Sequence, residues 1–132
     1  MLVDSNVFMY AAGAQHAFKR SSLRFLERVA RGEIDAAIDA EVLQEILHRY
    51  RALRRWTEGR QVYDSARAIF NTVIPITTEI LDRARLLLDE YSQLMARDAL
   101  HAAVVECPSL EGICSYGSDF DRIASIRRVE PR

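Results

Sequence analysis

A chain of 132 residues, with 49% apolar and 28% charged residues of both signs interleaved, has the size and composition of one globular domain and argues against disorder. The net charge of -1 excludes a domain that holds nucleic acid through a generally basic surface, so any nucleic-acid contact must be local.

Leu2-Val3 opens a short apolar strand that runs into Asp4-Ser5-Asn6 and then a helix through Val7, Phe8, Met9 and Tyr10, which puts a carboxylate at the strand's C-terminal tip. From His16 to Arg31 the residues Phe18, Leu23, Phe25, Leu26 and Val29 recur at helical spacing, and Arg31-Gly32 supplies the stop. Ile34 to Ile38 reads as a strand, with Asp39 as N-cap of a helix that carries Val42, Leu43, Ile46, Leu47 and Tyr50 on one face. A helix over Thr57 to Phe70 follows, then a strand from Val73 to Ile76 that includes Pro75. Thr77 or Thr78 caps a helix through Ile80, Leu81, Ala84, Leu87 and Leu88, and Arg97 to Glu106 forms a very apolar one. Gly112 to Tyr116 is a strand, Ser118 to Ile123 a helical turn and Ile126 to Val129 the last strand.

Strands that alternate with helices over short connections need crossovers. The fold expected is therefore α/β, a three-layer α/β/α single domain over residues 1–132 with a central, mostly parallel sheet. Sites in such sheets lie at the carboxyl ends of strands, where Asp4, Asp39 and the segment after Tyr116 all fall.

Each carboxylate also has a structural reading. Asp4 and Asp98 are candidate helix caps, Glu45 is placed for an i,i+4 ion pair with Arg49, and Ser118 with Asp121 imitates a capping box. Taken together they suit a hard cation, because Mg2+ and Mn2+ prefer oxygen ligands and keep positions open for phosphate oxygens. The histidines His16, His48 and His101 form no HxxxH or HExxH pattern, which argues against a zinc hydrolase; His101, one turn after Asp98, reads as a packed supporting residue. Cys107 and Cys114 have no CxxC or Cys/His pairing and read as buried free thiols. Arg49, Arg51, Arg54 and Arg55 beside Trp56 form either a solvated helix face or a phosphate contact. The chain opens directly on Met1-Leu2-Val3-Asp4, with no leader pattern and no membrane-spanning run, so a cytoplasmic protein is expected.

The segments Leu2-Val3-Asp4-Ser5-Asn6-Val7-Phe8-Met9-Tyr10, Val42-Leu43-Gln44-Glu45-Ile46 and Arg97-Asp98-Ala99-Leu100-His101-Ala102-Ala103, in this order, resemble the PIN-domain family, particularly VapC-type toxins. The resemblance implies that Asp4, Glu45 and Asp98 are metal-site acids, with Asn6 a polar residue beside them. It further implies Mg2+- or Mn2+-dependent hydrolysis of RNA, a small antitoxin partner and a homodimer. The family's last motif resembles T/S-x-D-x-D-F-D, and the corresponding run Ser115-Tyr116-Gly117-Ser118-Asp119-Phe120-Asp121 has Gly117 at the first acidic position. Glycine permits a sharp bend, so Asp119 is expected to turn inward as the fourth catalytic and metal-site acid beside Asp4 and Asp98. A non-catalytic PIN-like module that binds RNA or a protein partner is the alternative that Gly117 leaves open. A receiver domain would need a lysine after a late strand, but Lys19 is the only one, and a haloacid-dehalogenase-type phosphatase would need an acid at Asn6.

Overall fold

The computed structural model describes residues 1–132. Its elements run β1 (Leu2–Val3), α1 (Ser5–Ala12), α2 (Lys19–Ala30), β2 (Ile38–Asp39), α3 (Ala40–Ala52), α4 (Trp56–Ile69), β3 (Val73–Ile74), α5 (Thr78–Glu90), α6 (Ala96–Glu106), β4 (Ile113–Cys114), a 3-10 turn (Ser118–Arg122) and β5 (Arg128–Val129). Side chains start two of these helices: Asp39 accepts from the Val42 amide at 2.9 Å and Thr77 from the Ile80 amide at 3.3 Å.

All strand pairs are parallel: β1 with β4, β4 with β5, and β2 with β3. A bridge between Leu2 and Ala37 joins the two ladders, with the Val3 amide donating to the Ala37 carbonyl and the Ala37 amide to the Met1 carbonyl, both at 2.9 Å. The strand order is thus β3-β2-β1-β4-β5. The chain builds outward from β1 on one side, then returns to build on the other. Asp4, one residue past β1, therefore stands where the winding reverses, the place at which parallel sheets open a crevice.

Successive strand residues point to opposite faces. Val3, Ile38 and Cys114 pack with Val7, Phe25, Ile46 and Val62 under α1 to α4, whereas Leu2 and Ile113 pack with Ile80, Leu87, Ala99 and Phe120 under α5, α6 and the 3-10 turn. The three layers expected from the sequence are present. A net hydrogen bond contributes about 1 kcal/mol and a fully buried aliphatic side chain roughly 1.5–3 kcal/mol. Two-residue strands are therefore held by the helices on either face more than by their ladders.

Several local expectations are corrected. The strands are shorter than the apolar runs that announce them, and β3 stops at Ile74 because Pro75 has no amide to donate to a ladder. The second helix starts at Lys19 rather than His16, because His16 Nδ1 accepts from the Phe18 amide at 3.1 Å in a turn before the helix. Cys114 is buried as expected, with its thiol pushed up to about 12 by burial and then the Asp4 charge, but Cys107 is exposed just past the end of α6. The Ser118–Asp121 capping box does not form: Asp121 instead takes both forks of Arg128 at 2.9 Å, a partner that arrives with β5. Gly117 has φ -74° and ψ 105°, ordinary extended backbone, so no glycine-specific bend turns the following segment inward.

Candidate metal centre

Asp4 occupies the N-cap position of α1, yet its side chain makes no capping bond. Its Oδ2 instead accepts from Ser115 Oγ, at the tip of β4, at 2.6 Å. Ser115 Oγ in turn accepts from Asn6 Nδ2 at 3.0 Å and from the Gly117 amide at 2.9 Å. Asp4 is 7% exposed and Ser115 0%. A helix-cap carboxylate that declines to cap and is steered by a buried hydroxyl is free to present its other oxygen elsewhere.

Glu45 faces it from α3 and is only 6% exposed, so the surface ion pair with Arg49 does not form. Its Oε2 accepts from Ser5 Oγ, and its Oε1 lies 3.2 Å from His101 Nε2 and 4.0 Å from Arg97 Nε. Burial alone would raise the Glu45 carboxyl, but the His101 bond and charge, Ser5 and Arg97 outweigh it and hold it below the usual range. His101 is buried between carboxylates. Desolvation alone would lower its imidazole, yet the bonds to Asp39 and Glu45 and the charges of Asp39 and Asp4 raise it well above the ordinary value.

Asp98 sits in the first turn of α6, and the cap is Met95, so the carboxylate is not a cap. Its carboxyl is pushed up to about 6, by burial first and then by the Asp4 charge, with Asp119 and Glu45 adding to it and His101 opposing. Asp4, Asn6, Glu45 and Asp98 line one open cavity of about 610 Å³, which Tyr10, Arg49 and Arg97 also line. Asp119 does not line it: half-exposed, with Arg122 Nε at 4.0 Å, it borders the neighbouring hollow beside Gln93 and Leu94 and reaches Asp98 through its charge. Of the arginine run, Arg49 alone turns to the cavity; Arg51 lies over the Trp56 ring at 5.0 Å and Arg55 is paired with Glu58 at 2.7 Å.

The donor set fits a hard cation. Three acceptor-only carboxylates share one open hollow, and the buried Asn6 Oδ1 beside them is an acceptor with no hydrogen-bond partner. One carboxylate oxygen each from Asp4 and Glu45 and a ring nitrogen of His101 lie within 4.8 Å of one another. The sequence pointed to Asp4, Glu45 and Asp98; it did not reveal that Asp39 and Ser115 hold the cluster from behind. The i,i+3 spacing of Asp98 and His101 was the one available hint of the imidazole's placement.

The PIN domain family model matches residues 1–126. This chain belongs to the PIN-domain family. It is 39% identical over 129 residues to Ribonuclease VapC13 of Mycobacterium tuberculosis, covering 98% of each chain. Among solved structures, the Mycobacterium tuberculosis toxin VapC20, described as cleaving the sarcin-ricin loop, superposes with a TM-score of 0.78 at 15% identity, over 98% of both chains. A toxin-antitoxin complex from Klebsiella pneumoniae contains a chain that superposes with a TM-score of 0.69 at 21% identity, over 99% of this chain and 97% of that one. These two structures agree with the layered PIN architecture found here.

Proposed function

We propose that this PIN domain is an endoribonuclease, the toxin of a type II toxin-antitoxin pair, that cuts RNA with Mg2+ or Mn2+ held by Asp4 and Asp98, with Glu45 beside them. The observation that carries the reading is the meeting of these three acids in one open cavity with an orphaned Asn6 oxygen. The ribonuclease names of relatives such as VapC13 support it. When bound, the ion supplies a water of lowered pKa for in-line attack on phosphorus and offsets charge on the phosphoryl oxygens. Glu45, held at both oxygens by Ser5 and His101, would orient the attacking water through its remaining lone pairs. Arg49 and Arg97 at the cavity wall hold the RNA phosphates, which supplies locally what the near-neutral surface lacks. Asp119 serves as the fourth acid from the neighbouring hollow, acting on the ion through its charge.

The antitoxin partner is supported by the Klebsiella neighbour and by an apolar groove between α1, α2 and α4, lined by Phe8, Leu23, Leu26, Val62 and Ile69. A homodimer would cover the exposed Leu81 and Leu88, which share one side of α5. No helix is long and apolar enough to cross a membrane, and a cytoplasmic location suits an RNA substrate. The test is incubation of an RNA pool with the purified protein, with and without EDTA. Scission that requires added Mg2+ or Mn2+ is expected; intact RNA under every condition would favour the non-catalytic module that Gly117 suggests.

A further inference from the structure

Behind the acids lies a chain of buried groups that no metal in the cavity would touch. Asp39 ends β2, fully buried, and its two oxygens do different work: Oδ1 accepts from the Val42 amide at 2.9 Å, starting α3, and Oδ2 meets His101 Nδ1 at 2.6 Å. The opposite edge of the same ring meets Glu45 Oε1 at 3.2 Å, while Asp4 Oδ1 stands off at 3.9 Å. Each ring nitrogen thus faces one carboxylate oxygen. The imidazole is a rigid bar from the end of β2 to the carboxylate of α3. Ser5 Oγ donates to the other Glu45 oxygen, so a side chain that would otherwise rotate freely is fixed at both oxygens.

We propose that His101 is a positioning residue: anchored by Asp39, it holds the Glu45 carboxylate in its working orientation and is not itself a metal ligand. This rests on the reading of the cavity as a metal-dependent ribonuclease site. The ring is 1% exposed and does not line the cavity. To ligate an ion lying between Asp4 and Glu45, Nε2 would have to shed its proton and abandon Glu45. Buried supports of this kind are worth typically 10–100-fold in activity when removed.

The test compares the parent with Asp39→Asn, His101→Leu and His101→Gln. Asparagine caps helices as well as aspartate does, so Asp39→Asn keeps the start of α3 while removing the carboxylate charge from the ring and setting a donor, Nδ2, against His101 Nδ1. On a fluorogenic single-stranded RNA that the parent cuts, Asp39→Asn and His101→Leu are expected to lower kcat by about tenfold or more. KM and the Mn2+ Kd from calorimetry are expected to change much less than kcat, since Asp4 keeps its Ser115 partner and Asp98 has no bond to the ring. His101→Gln is expected to regain part of kcat, because its amide still donates to Glu45. Parental kcat in both Asp39→Asn and His101→Leu would overturn the proposal, as would loss of Mn2+ binding in His101→Leu with Asp39→Asn unaffected. Nitrogen NMR of the His101 ring is independent of RNA cleavage and so separates this proposal from the ribonuclease reading. The ring nitrogen shifts are expected to be the same before and after Mg2+ addition; a move of Nε2 to the shift of a metal-bound nitrogen would make His101 a ligand and defeat the proposal.

Discussion

Ser115 Oγ donates to Asp4 Oδ2 at 2.6 Å across 111 residues of sequence, tying together the tips of two neighbouring parallel strands. The bond fixes which Asp4 oxygen is left to face the cavity. Ser115→Ala would also strip a partner from Asn6 and from the Gly117 amide. An unsatisfied buried polar group costs about 1–3 kcal/mol, so the expected outcome is a loss of that order in thermal unfolding. A roughly tenfold weaker Mn2+ Kd should accompany it. Unchanged Mn2+ affinity would show that Ser115 supports the fold alone.

Asp98 makes metal binding depend on pH. Its carboxyl stands at about 6 in the folded protein, against 3.8 unperturbed. A folded value above the unfolded one means that the proton stabilises the metal-free fold. This contribution is complete below about pH 4 and is lost as pH rises through about 6. An ion competes with that proton, so the Mn2+ Kd should tighten by up to about tenfold per pH unit up to about pH 6 and flatten above it. Calorimetry at a series of pH values checks this. A flat Kd across that range would exclude Asp98 as a ligand.

The Gly117 position separates loss of an acid from its replacement. Its backbone is in a region open to any residue, and an added Cβ would meet Ser115 Oγ at 3.2 Å and the Phe120 ring at 3.6 Å, a tight but adjustable fit. Gly117→Asp should therefore fold and cleave RNA at least as fast as the parent, whereas Asp119→Asn, which removes a charge from outside the cavity, should lower cleavage without abolishing it. Parental cleavage by Asp119→Asn would remove Asp119 from the site. Cleavage by Gly117→Asp alone would mean that the parent has lost the activity of its fold.

Asp4 and Asp98 were legible in the sequence because each sits at a place fixed by local pattern, a strand tip and the start of an apolar helix; Glu45 was legible only through the family resemblance, since its local pattern pointed to an ion pair with Arg49 that does not form. The layered architecture was legible from local pattern too, since alternating apolar runs of two periods imply crossovers. The supports were not legible. Asp39 meets His101 from 62 residues away and Glu45 meets it from 56, and no local period carries such pairs. Asp39 did show its helix-capping oxygen, which is a local signal, while its second oxygen serves a partner three helices later. Asp121 failed in the opposite sense: its local capping pattern lost to Arg128, a charged and bidentate partner brought by the next strand.

Gly59 is a packing requirement rather than a flexible point. Alanine normally gains up to about 1 kcal/mol over glycine inside a helix. Here a Cβ would stand 2.4 Å from Tyr50 Cβ, where α4 crosses α3, and that atom cannot move without its backbone. Overpacking of this kind costs about 1–3 kcal/mol, so Gly59→Ala should destabilise the protein in denaturant unfolding. A stabilised variant would mean that the two helices can separate freely.

The acids of the crevice as a metal centre are tested most directly by calorimetric titration of Mn2+ into the parent, Asp4→Asn and Asp98→Asn. The parent should bind the ion, and each variant should bind it at least about tenfold more weakly while remaining folded. Equal Mn2+ affinity in all three proteins would contradict the account, leaving Asp4 and Asp98 as structural carboxylates in a PIN fold whose cavity does some other work.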